Sequence, residues 1–286
     1  MTDYLHLTKP RITWLILMST AIGFFFGARN LGLRAGEAWQ WLVLFHTIVG
    51  TALIASGTAA LNQWYEREAD AKMRRTQDRP IPAGRIAPGR ALWFGIALAA
   101  AGFVELWLGA NLLAAGLGLL TLAMYLFLYT PLKQRTHHST TVGAIPGAMP
   151  PMIGYAAAAG VVNYEAWALF LILFLWQFPH FYAIAWMYRE DYARAGIRML
   201  PVVEPDGEST SRQILMYAMA LVPISLLPKL VAMAGNVYAF GALALGAGFL
   251  WAAWKVSRHR TTVEARKVLL TSVVYLPLLY GLLVVG

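Results

Sequence analysis

The chain contains no cysteine. That absence excludes disulfides, thiolate nucleophiles and cysteine-ligated metal or haem. Charge is also scarce: charged residues make up 13% of the 286 positions, against 59% hydrophobic. A chain so poor in charge cannot cover itself with a water-soluble surface of ordinary charge density. Polar stretches of a length that could fold into a separate soluble core are missing as well. One integral membrane domain over residues 1–286 is the expectation.

In place of charge there are long apolar runs of about 20 residues, the length that crosses a bilayer as a helix. Nine are discernible, at about 12–27, 41–61, 91–109, 111–130, 141–160, 166–187, 213–233, 237–256 and 268–285. Hydrocarbon cannot satisfy free backbone N–H and C=O groups, so each must be helical. The fold class predicted is an all-α polytopic membrane protein of nine transmembrane helices around a central cavity. The first run follows a short segment ending at Arg11 and lacks a cleavable-signal pattern, so it reads as a true span. Of the 23 Lys and Arg residues, all but Arg29, Arg34 and Lys229 fall in alternate loops or their helix ends, near 62–90, 131–140, 188–212 and 257–267, and in the N-terminal segment. This bias predicts a cytoplasmic N-terminus and an external C-terminus. The net charge of +9 thereby reflects topology and anionic lipid, with no soluble basic module for nucleic acid.

The few carboxylates are grouped. Asn62, Glu66 and Asp70 are spaced i, i+4, i+8, which puts three oxygen ligands on one stripe of a helix, with Arg74 continuing it. Glu190 and Asp191 lie at the end of another span, in Tyr188-Arg189-Glu190-Asp191-Tyr192. The second stretch loosely echoes the first, as Arg198-Met199-Leu200-Pro201 echoes Arg79-Pro80-Ile81-Pro82, and two such halves facing one cavity would supply two metal-binding edges. Carboxylates near hydrocarbon are costly and mark functional sites. Mg²⁺ takes carboxylate and amide oxygens together with phosphate oxygens, so Asn62, Glu66, Asp70, Glu190 and Asp191 are the candidate metal ligands. Arg74, Arg75, Lys133, Arg135 and Arg189 neighbour them and are the candidate diphosphate-binding cations. Most other basic residues, Arg85, Arg90, Arg258, Arg260 and Arg266 among them, are assigned to topology alone.

Six histidines occur. His180 stands in the apolar run Trp176-Gln177-Phe178-Pro179-His180-Phe181-Tyr182 and must find a partner there. His137 and His138 belong to a cytoplasmic loop, and His46 to a span, where a structural role is expected. Trp64, Tyr65, Trp176 and Tyr182 are candidates for stabilising a carbocation through their faces. Gly143, Pro146, Gly147, Pro150, Pro151 and Gly154 in the fifth run, and Pro179, Pro223 and Pro228 beyond it, predict kinked or loosely packed helices. They shape either close packing or a wall around a bulky ligand.

The pattern Asn62-xxx-Glu66-xxx-Asp70 resembles the first acidic motif of the UbiA-type intramembrane prenyltransferases. The surrounding segments are similar to the haem-farnesylating branch of that family: Leu7-Thr8-Lys9-Pro10-Arg11, Asp70-Ala71-Lys72-Met73-Arg74-Arg75-Thr76, Tyr129-Thr130-Pro131-Leu132-Lys133, Gly147-Ala148-Met149-Pro150-Pro151 and Asp191-Tyr192. This resemblance covers about residues 4–205; beyond them only the helix count supports it. The usual second Asp-xxx-Asp motif is incomplete, because Met187 stands four residues before Asp191. The resemblance implies Mg²⁺ as cofactor, farnesyl diphosphate as donor and haem B as acceptor. It implies haem O and diphosphate as products, with haem contacts at His180, His137 and His138. It further implies an enzyme of the bacterial inner membrane with its active site on the cytoplasmic side, and a downstream haem A synthase as a possible partner. The alternatives are a relative acting on another aromatic or tetrapyrrole acceptor, and a transporter or haem carrier without catalysis. The one-sided clustering of acids and bases favours an enzyme over a transporter.

Overall fold

A computed structural model describes residues 2–30 and 38–286, and Arg34 lies outside them. Every regular element in it is helical. A short helix α1 (Thr2–Leu7) leads into the long helix α2 (Pro10–Asn30), and α3 (Ala38–Tyr65) is continued after a break at Glu66 by α4 (Arg67–Asp70). Then follow α5 (Pro88–Gly109) and α6 (Leu112–Ala123), the latter running into a π-helical turn, Met124–Tyr129, and α7 (Thr130–Leu132). Next come α8 (Ser139–Ala148), α9 (Pro150–Ala159), α10 (Tyr164–Met187), α11 (Arg189–Arg194) and α12 (Leu200–Val203). The chain ends in α13 (Glu208–Ile224), α14 (Leu227–Leu230), α15 (Asn236–His259) and α16 (Thr262–Val285).

Among the described residues, eight helices are long and apolar enough to cross a membrane. The difference from the nine expected lies in the fifth run. It is two ten-residue helices, α8 and α9, divided at Met149. Pro150 and Pro151 have no N–H to donate, so the ladder cannot pass through them. The outward faces carry large apolar side chains, including Trp14, Trp93, Leu108 and Phe127, each at least 70% exposed, as lipid contact requires. Two polar spots within the membrane zone are paired: His46 Nδ1 and Glu105 Oε1 lie 2.8 Å apart between α3 and α5. Glu105 thus has a partner one helix away.

Helices α2 and α9 cross at backbone contact. A Cβ on Gly154 would lie 1.9 Å from the Thr20 carbonyl oxygen, and one on Gly23 the same distance from that of Pro151. In a membrane such close approach gives packing that hydrophobicity cannot supply, since lipid is as apolar as the helix. The contact also fixes α2 against the wall of the cavity described below. Gly154→Ala should therefore lower stability by about 1–3 kcal/mol through overpacking. Gly116, with nothing within 4 Å of an added Cβ, serves as control. Thermal unfolding in detergent should show a clear loss for Gly154→Ala and none for Gly116→Ala.

Candidate active site

The break after Tyr65 builds the site. Asn62 lies in the last turn of α3, Glu66 stands at the break with φ −87° and ψ 7°, and Asp70 closes α4. Backbone bonds from Glu66 N–H to Asn62 O and from Asp70 N–H to Glu66 O keep the helical spacing across the break. All three side chains point into one cavity of about 860 Å³. They are buried, with Asn62 and Asp70 1% exposed and Glu66 8%.

Each of these oxygen ligands meets a cation. Lys9 Nζ donates to Asn62 Oδ1 at 3.3 Å, Lys133 Nζ to Glu66 Oε1 at 2.8 Å, and Arg79 Nη1 to Asp70 Oδ2 at 2.6 Å. The orientation of the Asn62 amide follows from its neighbours. Thr130 gives its hydroxyl proton to Tyr125 O at 2.8 Å and can only accept the Asn62 Nδ2–H, at 3.4 Å. The amide oxygen therefore faces Lys9, a pure donor. Asp70 Oδ1 is buried and has no hydrogen-bond partner. A bare carboxylate oxygen in such a place is costly unless a ligand completes it. Two carboxylates, one amide oxygen and an orphaned lone pair fit a hard divalent cation whose remaining ligands come from phosphate and water.

Lys9 is held unusually. Its φ is 48°, in the left-handed region, immediately before Pro10. This conformation is disfavoured for a non-glycine residue ahead of proline and costs about 1–3 kcal/mol. The strain turns the side chain inward from the start of α2. Burial and the nearby Arg79 guanidinium lower its pKa to about 7, against the pull of Glu66. Burial alone would raise Glu66, but the Lys133 ammonium overrides it and holds the carboxyl below its usual range. Burial alone would lower Lys133, but Glu66 together with Tyr129 and Tyr125 outweighs it and shifts the ammonium well upward. Its Nζ also lies 4.4 Å from the centre of the Tyr129 ring.

At its inner end the polar chamber meets a narrow apolar one of about 140 Å³, lined by residues including Thr13, Ile16, Ile54, Ala59, Gly118, Pro146 and Ile153. Lys9, Ile12 and Tyr125 line both chambers and form the neck between them. Tyr125 lies in the π-helical turn, where one extra residue per turn re-aims the side chains.

The second acidic stretch reaches the site only in part. A small apolar cluster of Ala69, Met73, Ala185, Ala195, Ile197 and Met199 packs the two loops together, so the echoing segments do meet. Tyr192 and Ile197 line the polar chamber. Asp191 and Glu190, expected as metal ligands, do not. The chain breaks at Tyr188 and restarts as α11, which turns both carboxylates toward a second pocket of about 420 Å³. There Asp191 Oδ2 accepts the Arg75 N–H at 3.3 Å and Oδ1 pairs with Arg194. Arg74 and Arg189, expected on the diphosphate, also line that second pocket, while Arg75 borders both. The stripe that should have carried Arg74 ends because the helix ends at Asp70. Arg135 is exposed and lines neither chamber; nor do the half-buried His137 and the exposed His138, whose rings lie 4.1 Å apart at a tilt of 39°.

His180 lines neither chamber; it stacks on Trp176 at 4.9 Å. Ser272 donates to Leu269 O at 2.6 Å, so it accepts from His180 Nδ1–H at 2.8 Å. The other ring nitrogen, Nε2, then carries the lone pair. Trp64, Tyr65, Trp176 and Tyr182 line neither chamber; the tyrosines that do are Tyr125, at the neck, and Tyr192, in the polar chamber. Lys9 and Arg79 are the site cations that sequence reasoning left to topology. The one signal that marked them was their place inside motif-bearing segments.

Helices enclosing an oxygen-and-cation chamber that opens into an apolar channel define a membrane-embedded site for an amphiphile with an anionic head. The model of the UbiA prenyltransferase family matches residues 16–276, and the chain belongs to that family. It is 65% identical to the protoheme IX farnesyltransferase of Solibacter usitatus, over 99% of this chain and 98% of that protein. It is 47% identical to the protoheme IX farnesyltransferase of Koribacter versatilis, over 98% and 92% of the two chains. In structure it resembles a digeranylgeranylglyceryl phosphate synthase, with TM-score 0.79 and 18% identity over 100% of this chain and 97% of that one. It also resembles a UbiA homolog from Archaeoglobus fulgidus bound to GPP and Mg²⁺, with TM-score 0.68 and 16% identity over 99% of both chains.

The lowered pKa of Lys9 gives a signed pH effect. The folded chain keeps Lys9 neutral down to about pH 7, while the unfolded chain protonates it below 10.5. The unfolded state binds more protons across that window, so this group makes stability rise with pH. In metal-free protein the melting temperature of Lys9→Met should climb less between pH 7 and about 10 than that of the wild type. Equal slopes would remove the assignment.

Proposed function

We propose that this chain transfers the farnesyl group of farnesyl diphosphate to the 2-vinyl group of haem B, giving haem O and diphosphate. The observation that carries the reading is the convergence of Asn62, Glu66 and Asp70 with Lys9, Lys133 and Arg79 in one chamber whose floor opens into an apolar channel. The relatives' name supplies the acceptor. On this reading α8 and α9 together take the place of a ninth crossing. The N-terminus and the polar chamber face the cytoplasm of a bacterial inner membrane, where α1 and the basic loops lie.

Asn62, Glu66 and Asp70 would hold Mg²⁺, which supplies neutralisation of the diphosphate as negative charge gathers on it. Lys9, Lys133 and Arg79 hold the diphosphate oxygens, and Arg75 closes the chamber's edge. The farnesyl chain runs past Ile12 into the apolar channel, which puts C1 at the neck beside Tyr125. There the C1–O bond breaks, the electron pair leaves with the diphosphate, and the ring of Tyr125 faces the allylic cation. The terminal vinyl carbon of haem forms the new bond to C1. Water adds to the carbocation left next to the porphyrin and loses a proton, completing the hydroxyethylfarnesyl group. No covalent enzyme intermediate is needed, in keeping with a chain that lacks cysteine. With Nδ1 bonded to Ser272, His180 has Nε2 as the ring nitrogen that would meet haem iron.

Purified protein supplied with farnesyl diphosphate, haem B and Mg²⁺ should yield haem O by mass spectrometry. Asp70→Asn should lower the yield at least about a hundredfold, the scale of losing a group that stabilises transition-state charge. Haem O formed at the unmutated rate would dismiss the metal assignment, and 4-hydroxybenzoate consumed in preference to haem would dismiss the acceptor. For His180→Ala, a Soret titration should show weaker haem binding. An unchanged titration and unchanged turnover would reject its contact with haem.

A further inference from the structure

We infer that Lys133 and Arg79, with Lys9, are exchangeable partners: without ligand they occupy the oxygens destined for metal, and they release them only when a diphosphate arrives to take the cations. Metal and diphosphate would then bind as an obligately coupled pair, each poorly alone. This rests on the diphosphate reading above and adds to it a rule for how the site fills.

The argument starts from the geometry. All three oxygen ligands are engaged by a different basic side chain at 2.6–3.3 Å, leaving Asp70 Oδ1 as the buried carboxylate oxygen without a partner. A divalent cation entering alone finds Asp70 Oδ1 open, but at each of the three ligand groups it competes with a basic side chain already bonded there. Those side chains have nowhere favourable to go. The chamber lining carries five lysine and arginine side chains against three carboxylates, so it already holds an excess of positive charge. Adding a dication increases that excess in a region sheltered from water, where repulsion is weakly screened.

A diphosphate entering alone faces the converse problem. It can draw Lys133 and Arg79 to itself, but doing so strips Glu66 and Asp70 of their partners while both remain buried. A buried carboxylate left uncompensated is strongly unfavourable. Entering together, the metal takes the carboxylates and the diphosphate takes the cations. Every charge then exchanges one partner for another, and none is stranded. The coupling must be reciprocal, because it is a property of the binding free energies. Long flexible side chains suit this exchange, since Lys and Arg can swing by several ångströms about a fixed backbone.

Two single-ligand titrations on the full-length chain in detergent test the idea, and neither requires turnover. Mn²⁺ binding is followed by electron paramagnetic resonance without diphosphate. Inorganic diphosphate binding is followed with a chelator present and no metal, by equilibrium dialysis. Arg79→Gln and Lys133→Gln should each bind Mn²⁺ alone about tenfold or more tightly than the wild type, within the usual range of site-to-site coupling. Both should bind diphosphate alone more weakly. A merely structural role would move the two affinities in the same direction or damage both. If one variant fails to fold, the other carries the test, and Lys9→Gln adds a third with a smaller expected gain, because Asn62 is uncharged. Wild-type protein that binds Mn²⁺ alone as tightly as the variants overturns the exchange. A separate arm keeps the underlying reading distinct: farnesyl diphosphate with Mg²⁺ should raise the wild-type melting temperature, followed through the 11 tryptophans. If that shift is absent, the diphosphate site itself is wrong; if it is present while the affinities fail to move in opposite directions, only the exchange is wrong.

Discussion

The molecule is organised around a cost: two carboxylates buried at the edge of a membrane cannot stand without positive charge beside them. Glu66 and Asp70 have Lys133 and Arg79 as their partners, and those partners come from distant parts of the sequence. Satisfying them requires the loop after α7 to lie against the end of α3, and the loop after α4 to fold back over its own helix. The bond from Arg198 N–H to Lys133 O at 2.8 Å then ties in the loop after α11. Electrostatic pairing therefore adds to the small apolar cluster of Ala69, Met73, Ala195, Ile197 and Met199 in positioning these loops. The membrane helices provide a rigid rim, with α2 and α9 in backbone contact and α3 packed on α5.

Buried ion pairs contribute little net stability, because desolvation offsets most of the attraction. Their presence here is better understood as retained for function, with the strain at Lys9 as a second sign. A left-handed lysine ahead of proline is a local loss that persists only where the surroundings over-determine it. Gln63 donates to Leu7 O at 2.9 Å, and Arg85 pairs with Asp3 at 2.9 Å, so the short helix α1 is pinned on both sides of the chain that enters the chamber. The strain is thereby held by contacts around α1 and expressed at the neck between polar and apolar space, where the Lys9 amine is placed.

How much of this could be seen in the sequence divides by the range of the cause. The apolar runs set the helices, and the i, i+4, i+8 spacing set the oxygen stripe, because both are periodicities of a single segment. The stripe failed at Arg74, where the helix had already ended. The cation that meets Asp70 is Arg79, nine residues on, placed by a loop whose path depends on tertiary packing. Lys9 and Arg79 were hidden for a further reason: positive-inside topology supplies a background of basic residues, and two functional ones among them look no different. Glu190 and Asp191 differ from expectation in place: they line the neighbouring pocket and not the polar chamber. Their composition matched a metal edge, but the break at Tyr188 turned them away, and a break set by packing leaves no mark in residue type. The fifth run misled by length alone, since its paired prolines divide it into two helices.

The two chambers differ in what they ask of a ligand, and their junction fixes where a bond can break. The polar one offers hydrogen bonds and charge; the other is lined mainly by apolar side chains and, apart from Lys9, offers a phosphate no charged partner. An amphiphile that satisfies both has its polar–apolar boundary at Lys9, Ile12 and Tyr125, and nowhere else along its length. For an allylic diphosphate that boundary is the C1–O bond. On the proposed reading, the site would select the reacting bond by partition between media before any side chain acts on it. The π-helical turn that delivers Tyr125 to this boundary joins the break at Glu66, the left-handed Lys9 and the proline division at Met149 as departures from regular helix in the chamber walls.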